Sequence, residues 1–115
     1  MKKEFKVQSS DGVTTYKVEF SLESGRLRVH CGCPAGALGQ WCKHKMRLVT
    51  GDISGVLGGF VPADMYEVLA WIKQSEFPRL LGEMKLAENE MLAAKKRMDN
   101  AKKSLEKAAQ KGATA

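Results

Sequence analysis

No apolar run in this chain is long enough to cross a bilayer. The longest uncharged stretches, around Ile53 to Ala63 and Val68 to Ile72, fall far short of the ~18–20 residues that a spanning helix needs. Behind the basic opening Met1-Lys2-Lys3 there is no apolar segment of the kind found in secretory leaders. The expectation is therefore a cytoplasmic protein, or a nucleoid or nuclear one if it is bound to DNA. Cysteine is scarce and odd in number, three in 115 residues, and two of the three are separated by one residue. That is a poor basis for a disulfide framework. In a reducing compartment, clustered thiols point to metal instead. Paired carboxylates around an open metal, an activated serine and a phosphate-binding loop are all missing, so no enzymatic chemistry is expected.

Acidic residues are the minority charge. Thirteen Asp and Glu stand against nineteen Lys and Arg, giving +6 and a pI near 9.3. Such a balance favours polyanionic partners. The excess leans toward the first half, where residues 1–60 carry nine basic and five acidic side chains. Residues 61–115 carry ten and eight.

Hydrophobic periodicity predicts an α+β protein. Over residues 3–31, Phe5 and Val7 alternate with polar neighbours, and Tyr16, Val18 and Phe20 recur at period two. Leu27, Val29 and Cys31 share a third alternating face, and Asp11-Gly12 and Glu23-Ser24-Gly25 are turn signals. Two or three strands in a small antiparallel β-meander are expected. A glycine-containing loop, Gly32 to Gln40, leads into a short helix from Trp41 to Val49, and a glycine-rich connector follows from Asp52 to Phe60. Pro62 suits the first turn of a helix over 62–75, whose Met65, Val68, Leu69 and Ile72 form an apolar stripe. Phe77-Pro78 interrupts it, because a residue before proline is pushed out of the helical region. A long helix over 78–111 follows. Its apolar positions repeat as a heptad: Phe77, Met84, Met91, Met98 and Leu105 in one seam position, Leu80, Ala87, Ala94, Ala101 and Ala108 in the other. A coiled-coil-like helix that self-associates through residues 77–108 is the expectation. Residues 1–60 are read as one module and 61–115 as a helical region.

The chemistry is concentrated between His30 and His44. Reduced to metal-binding types, the segment reads Cys31-x-Cys33, eight residues, Cys42-x-His44. Residues two apart on a strand point to the same side, so Cys31 and Cys33 can offer both sulfurs to one ion. His30, one residue over, points the other way. Cys42 and His44 return near the start of a helix, where amides favour thiolate. Three sulfurs and one imidazole complete a tetrahedral shell for Zn2+ and leave no position for a catalytic water. An iron–sulfur cluster is the lesser candidate, given the histidine. Trp41 is expected to pack beside the site rather than to stack on a base.

This ligand order closely resembles the SWIM-type zinc finger, whose pattern is Cys-x-Cys, a variable loop and Cys-x-His. The resemblance covers roughly Val13 to Val49. It implies zinc binding, a strand–strand–helix fold, and DNA binding or protein interaction, roles proposed for members found in chromatin-remodelling enzymes, transposases and ubiquitin ligases. The helicase and transposase domains that usually accompany the module have no counterpart in this chain. Beside the ligands, Arg26, Arg28, Lys43, Lys45 and Arg47 are candidate phosphate contacts. The expected function is a non-enzymatic structural-zinc module that binds nucleic acid, DNA ahead of RNA. The alternative is a protein–protein adaptor using the same finger and coiled coil.

Overall fold

The structure, a computed structural model, describes residues 1–114. Three antiparallel strands come first: β1 (Lys2–Gln8), β2 (Thr15–Glu23) and β3 (Arg26–Cys31). They pair in sequence order, with Phe5 opposite Val18 and Phe20 opposite Val29. Both turns follow from local chemistry. In the first, Asp11 Oδ1 accepts from the amides of Val13 and Thr14 while Gly12 takes a positive φ. In the second, Ser24 and Gly25 both have positive φ, at 52° and 72°. That is the conformation of a two-residue turn matched to the right-handed twist of a hairpin.

Alternation then sorts the sheet into two faces. Phe5, Val7, Val18, Phe20 and Cys31 are buried on one, and Lys6, Lys17, Arg26, Arg28 and His30 are exposed on the other. Four helices follow: α1 (Pro34–Ala37), α2 (Lys43–Val49), α3 (Pro62–Gln74) and α4 (Phe77–Lys111). The segment read as a loop from 32 to 40 thus contains a short helix, started by Pro34 and capped by Cys33. The helix expected from Trp41 starts two residues later, because Cys42 is its N-cap. α3 buries Met65, Val68 and Ile72 as its periodicity predicts, with Trp71 added and Leu69 half-buried.

The connector from 52 to 60 has a structural task. Gln8 N–H donates to Gly55 O at 3.0 Å and Leu57 N–H to Lys6 O at 2.8 Å, with an isolated bridge from Val7 to Val56. It therefore covers the free edge of β1, a position that would otherwise invite pairing with another chain. Phe60 closes edge-on against Phe5 at 5.8 Å. Lys3 reaches across to α3, bonding Asp64 at 2.9 Å and Glu67 at 3.6 Å. Those ties make Met1–Pro78 one compact unit, while Arg79–Ala115 forms another. The first compact unit thus runs past residue 60, because α3 contributes buried side chains to it.

α4 is of a different kind. None of its residues is buried. Leu80, Met91, Met98 and Leu105 are between 43% and 72% exposed. Among the described residues no helix is long and apolar enough to cross a membrane.

Candidate metal centre

Three local devices deliver the four sulfur and imidazole residues: a strand end, two helix N-caps and a first helical turn. Cys31 ends β3 on its buried face, fully inaccessible to solvent. Cys33 caps α1, and its Sγ accepts from Gly36 N–H at 3.2 Å. Cys42 caps α2 in the same manner, its Sγ accepting from Lys45 N–H at 3.4 Å. His44 stands in the first turn of α2, buried, with its ring tilted against Tyr16 at 5.4 Å. All four candidate donor atoms lie within 4.8 Å of one another, and no disulfide joins the cysteines.

One donor pair has the separation expected around a small tetrahedral ion. Cys31 Sγ lies 3.6 Å from His44 Nδ1. Bonds of ~2.3 Å to sulfur and ~2.0–2.1 Å to nitrogen around a tetrahedral centre would hold those atoms about 3.5–3.6 Å apart. Nδ1 is thus the candidate donor atom, and Nε2 is buried without a hydrogen-bond partner among the described residues. The donor set is soft and complete, so the arrangement can hold a metal but offers no open coordination position.

Electrostatics separate the thiols. Burial pushes the Cys31 thiol up to about 12. For Cys33 burial also acts upward, yet the Gly36 amide and the neighbouring sulfurs bring the net shift down. His44 is held below its ordinary value by burial, with Lys43 and Arg47 acting in the same direction. A neutral imidazole and one thiol already biased toward thiolate suit metal capture; the remaining protons must leave as the ion binds.

Two residues matter more than the sequence suggested. Gly36 is buried so tightly that a Cβ there would run into the Cys31 carbonyl oxygen, with Cys31 Cβ only 2.7 Å away. Its place among several loop glycines gave no sign of this. Lys45, expected among the phosphate contacts, is instead 5% exposed, and its Nζ donates to Gln40 O at 3.0 Å. The reason is helical phase: Lys45 lies on the side of α2 that turns toward the loop before it, with its stem packed and its ammonium closing the Gln40 carbonyl.

The other four candidate cations are exposed but not gathered into one patch. Arg26 and Arg28 project from the solvent face of β3, alternating with Leu27 and Val29. Lys43 and Arg47 lie one turn apart on α2, which packs through His44 and Leu48 on the other side of the sheet. The Ser54 hydroxyl and amide hold Asp52 below its ordinary value, with Arg47 adding a smaller pull in the same direction. Lys3 is committed to α3 through Asp64. Trp41 stacks on Phe77 with centroids 6.2 Å apart and 24° between planes, and remains 44% exposed. Comparison with protein-family models, curated proteins and solved structures returned no match.

Proposed function

We propose that the chain is a non-enzymatic zinc module of SWIM type that binds nucleic acid through phosphates and self-associates through α4. The observation that carries the zinc reading is the buried Cys31, Cys33, Cys42, His44 cluster, with donor spacing suited to one tetrahedral ion. When bound, zinc supplies cross-linking of β3, α1 and α2 rather than a reactive centre. The cysteines and histidine hold it, Gly36 lets α1 approach β3, and the two N–H···S bonds orient Cys33 and Cys42.

Phosphate contact is supported by the net charge of +6 and by two exposed basic pairs, Arg26/Arg28 and Lys43/Arg47. Because they lie on different faces, one pair is expected to dominate. DNA is placed ahead of RNA as the partner, from the SWIM resemblance. The test is binding of the zinc-loaded chain to short single- and double-stranded DNA and RNA across a salt series. Replacing both residues of the contacting pair by Ala should weaken binding to every sequence alike. It should also lower the salt slope by about 2, since each phosphate contact contributes about 0.9. No binding at low salt would discard the nucleic-acid reading and leave the protein-adaptor reading in its place.

A further inference from the structure

We infer that α4 pairs with a second copy of itself in antiparallel orientation, in one register, centred between Leu92 and Ala93. This rests on the self-association reading above and specifies its geometry. The starting point is a long helix with no buried residue and an apolar seam left open along its length. Phe77, the first seam residue by spacing, is taken by Trp41. The free seam therefore starts at Leu80 and continues to Leu105.

Side-chain size argues first. The seam alternates methionine in one heptad position with alanine in the other. In a parallel pair each layer meets its own kind, so methionine layers would hold the helices apart and leave voids at the alanine layers. In the antiparallel register the two kinds meet: Met84 faces Ala101, Met91 faces Ala94 and Met98 faces Ala87. These six central layers then have similar volume, the condition for uniform close packing. Leu80 and Leu105 meet at each end.

Charge beside the seam argues independently. The flanking positions are Glu83, Glu90 and Arg97 on one side and Glu88, Lys95 and Lys102 on the other. Antiparallel helices bring equivalent sides together. In this register Glu88 faces Lys95 and Glu90 faces Arg97 of the second copy, and each pair occurs twice by symmetry. All four contacts are attractive. Sliding one copy by a heptad replaces four attractions with two attractions and two repulsions: Glu88 on Glu88 and Glu90 on Glu90 against two Glu83–Arg97 pairs one way, Lys95 on Lys95 and Arg97 on Arg97 against two Glu88–Lys102 pairs the other. A parallel pair would place Glu83 on Glu88 and Arg97 on Lys102, both repulsive, with only Glu90 on Lys95 attractive. Such flanking charges are the usual determinant of orientation in helix pairs. The two Phe77 residues would then lie roughly 45 Å apart along the pair, at a rise of ~1.5 Å per residue.

Sedimentation equilibrium of the zinc-loaded full chain tests this with two charge-swapped variants, Glu88→Lys/Glu90→Lys and Lys95→Glu/Arg97→Glu. Wild type should be a dimer. Each variant alone turns four attractions into four repulsions and should dissociate on the order of 10- to 100-fold more readily. An equimolar mixture should restore the dimer, which also shows that both variants are folded. If the wild type dimerises and either variant alone does so equally well, or if mixing restores nothing, the antiparallel register is wrong. A parallel pair would be nearly indifferent, because each swap there removes one attraction and creates another. A wild type that stays monomeric at about 100 µM would overturn self-association itself.

Discussion

The two units of this chain hold their shape by opposite means. In Met1–Pro78 the contacts that matter join residues far apart in sequence: Phe5 on Phe20, Lys3 on Asp64, Cys31 beside His44. In α4 they are local, such as Arg79 on Glu83 at 2.8 Å and Ser104 Oγ on Asn100 O at 3.2 Å. A long Ala-, Leu-, Lys- and Glu-rich helix draws on intrinsic propensity and loses structure gradually from its ends. A small sheet lacks that resource. With so little chain to bury, it gains from a cross-link, and a metal held by the Cys31, Cys33, Cys42 and His44 cluster would supply one. Removing one residue of the cluster should therefore empty one unit of structure while leaving the other almost unaltered.

The sharpest break is therefore chelation, or Cys42→Ala. Structural zinc is worth on the order of 10 kcal/mol, comparable with the whole stability of a domain. The amide signals of β1–β3 should collapse in the NMR spectrum while the helical circular dichroism of α4 persists. Sheet amides that stay protected in excess chelator would remove the structural role from the metal. Next in size is a paired truncation. Phe20 has no solvent exposure, and Phe20→Ala should cost about 3–5 kcal/mol in denaturant titration of the first unit. Leu105 is 70% exposed, and Leu105→Ala should leave the thermal melt of the monomer within about 0.5 kcal/mol. Equal costs at the two positions would erase the contrast.

Gly36→Ala should sit below these, at about 1–3 kcal/mol for forcing a methyl group into a packed contact with Cys31. It should weaken metal retention about tenfold or more in competition with a chromophoric chelator, with α4 unchanged. The smallest effect concerns pH. The Thr14 and Val13 amides, with the Thr14 hydroxyl, hold the Asp11 carboxyl down at about 2. Its folded value lies below the unfolded one, so its contribution is present above about pH 4 and is lost as pH falls toward 2. Amide exchange at Val13 and Thr14 should quicken over that window, and Asp11→Ala should abolish the dependence.

Much of this was legible because it is local. Period two placed the buried face of β2, and Ser24-Gly25 marked its turn. Pro62 opens α3, and the Cys-x-Cys and Cys-x-His spacing singles out Cys31, Cys33, Cys42 and His44, which the fold gathers into one cluster. Charge says nothing about which side of a seven-residue helix faces the loop before it, so Lys45 reads in sequence as a phosphate contact and in the fold is a buried tie to Gln40. Nearness in sequence groups Arg28 with Arg47, yet a strand face and a helix packed behind it look in different directions. The role of the 52–60 connector went unread because edge hydrogen bonds use backbone groups, which every residue but proline carries.

The amino-acid order by itself determined the candidate metal-binding set, the strand phases, the turns and the heptad spacing of α4, since each depends on neighbours within a few residues. Tertiary structure alone decided that Gly36 must lack a side chain, that Lys3 belongs to α3, and that the exposed cations form two pairs rather than one patch. Those outcomes depend on the distance between elements once they pack. That distance is set by side chains dozens of residues apart, and no local pattern records it.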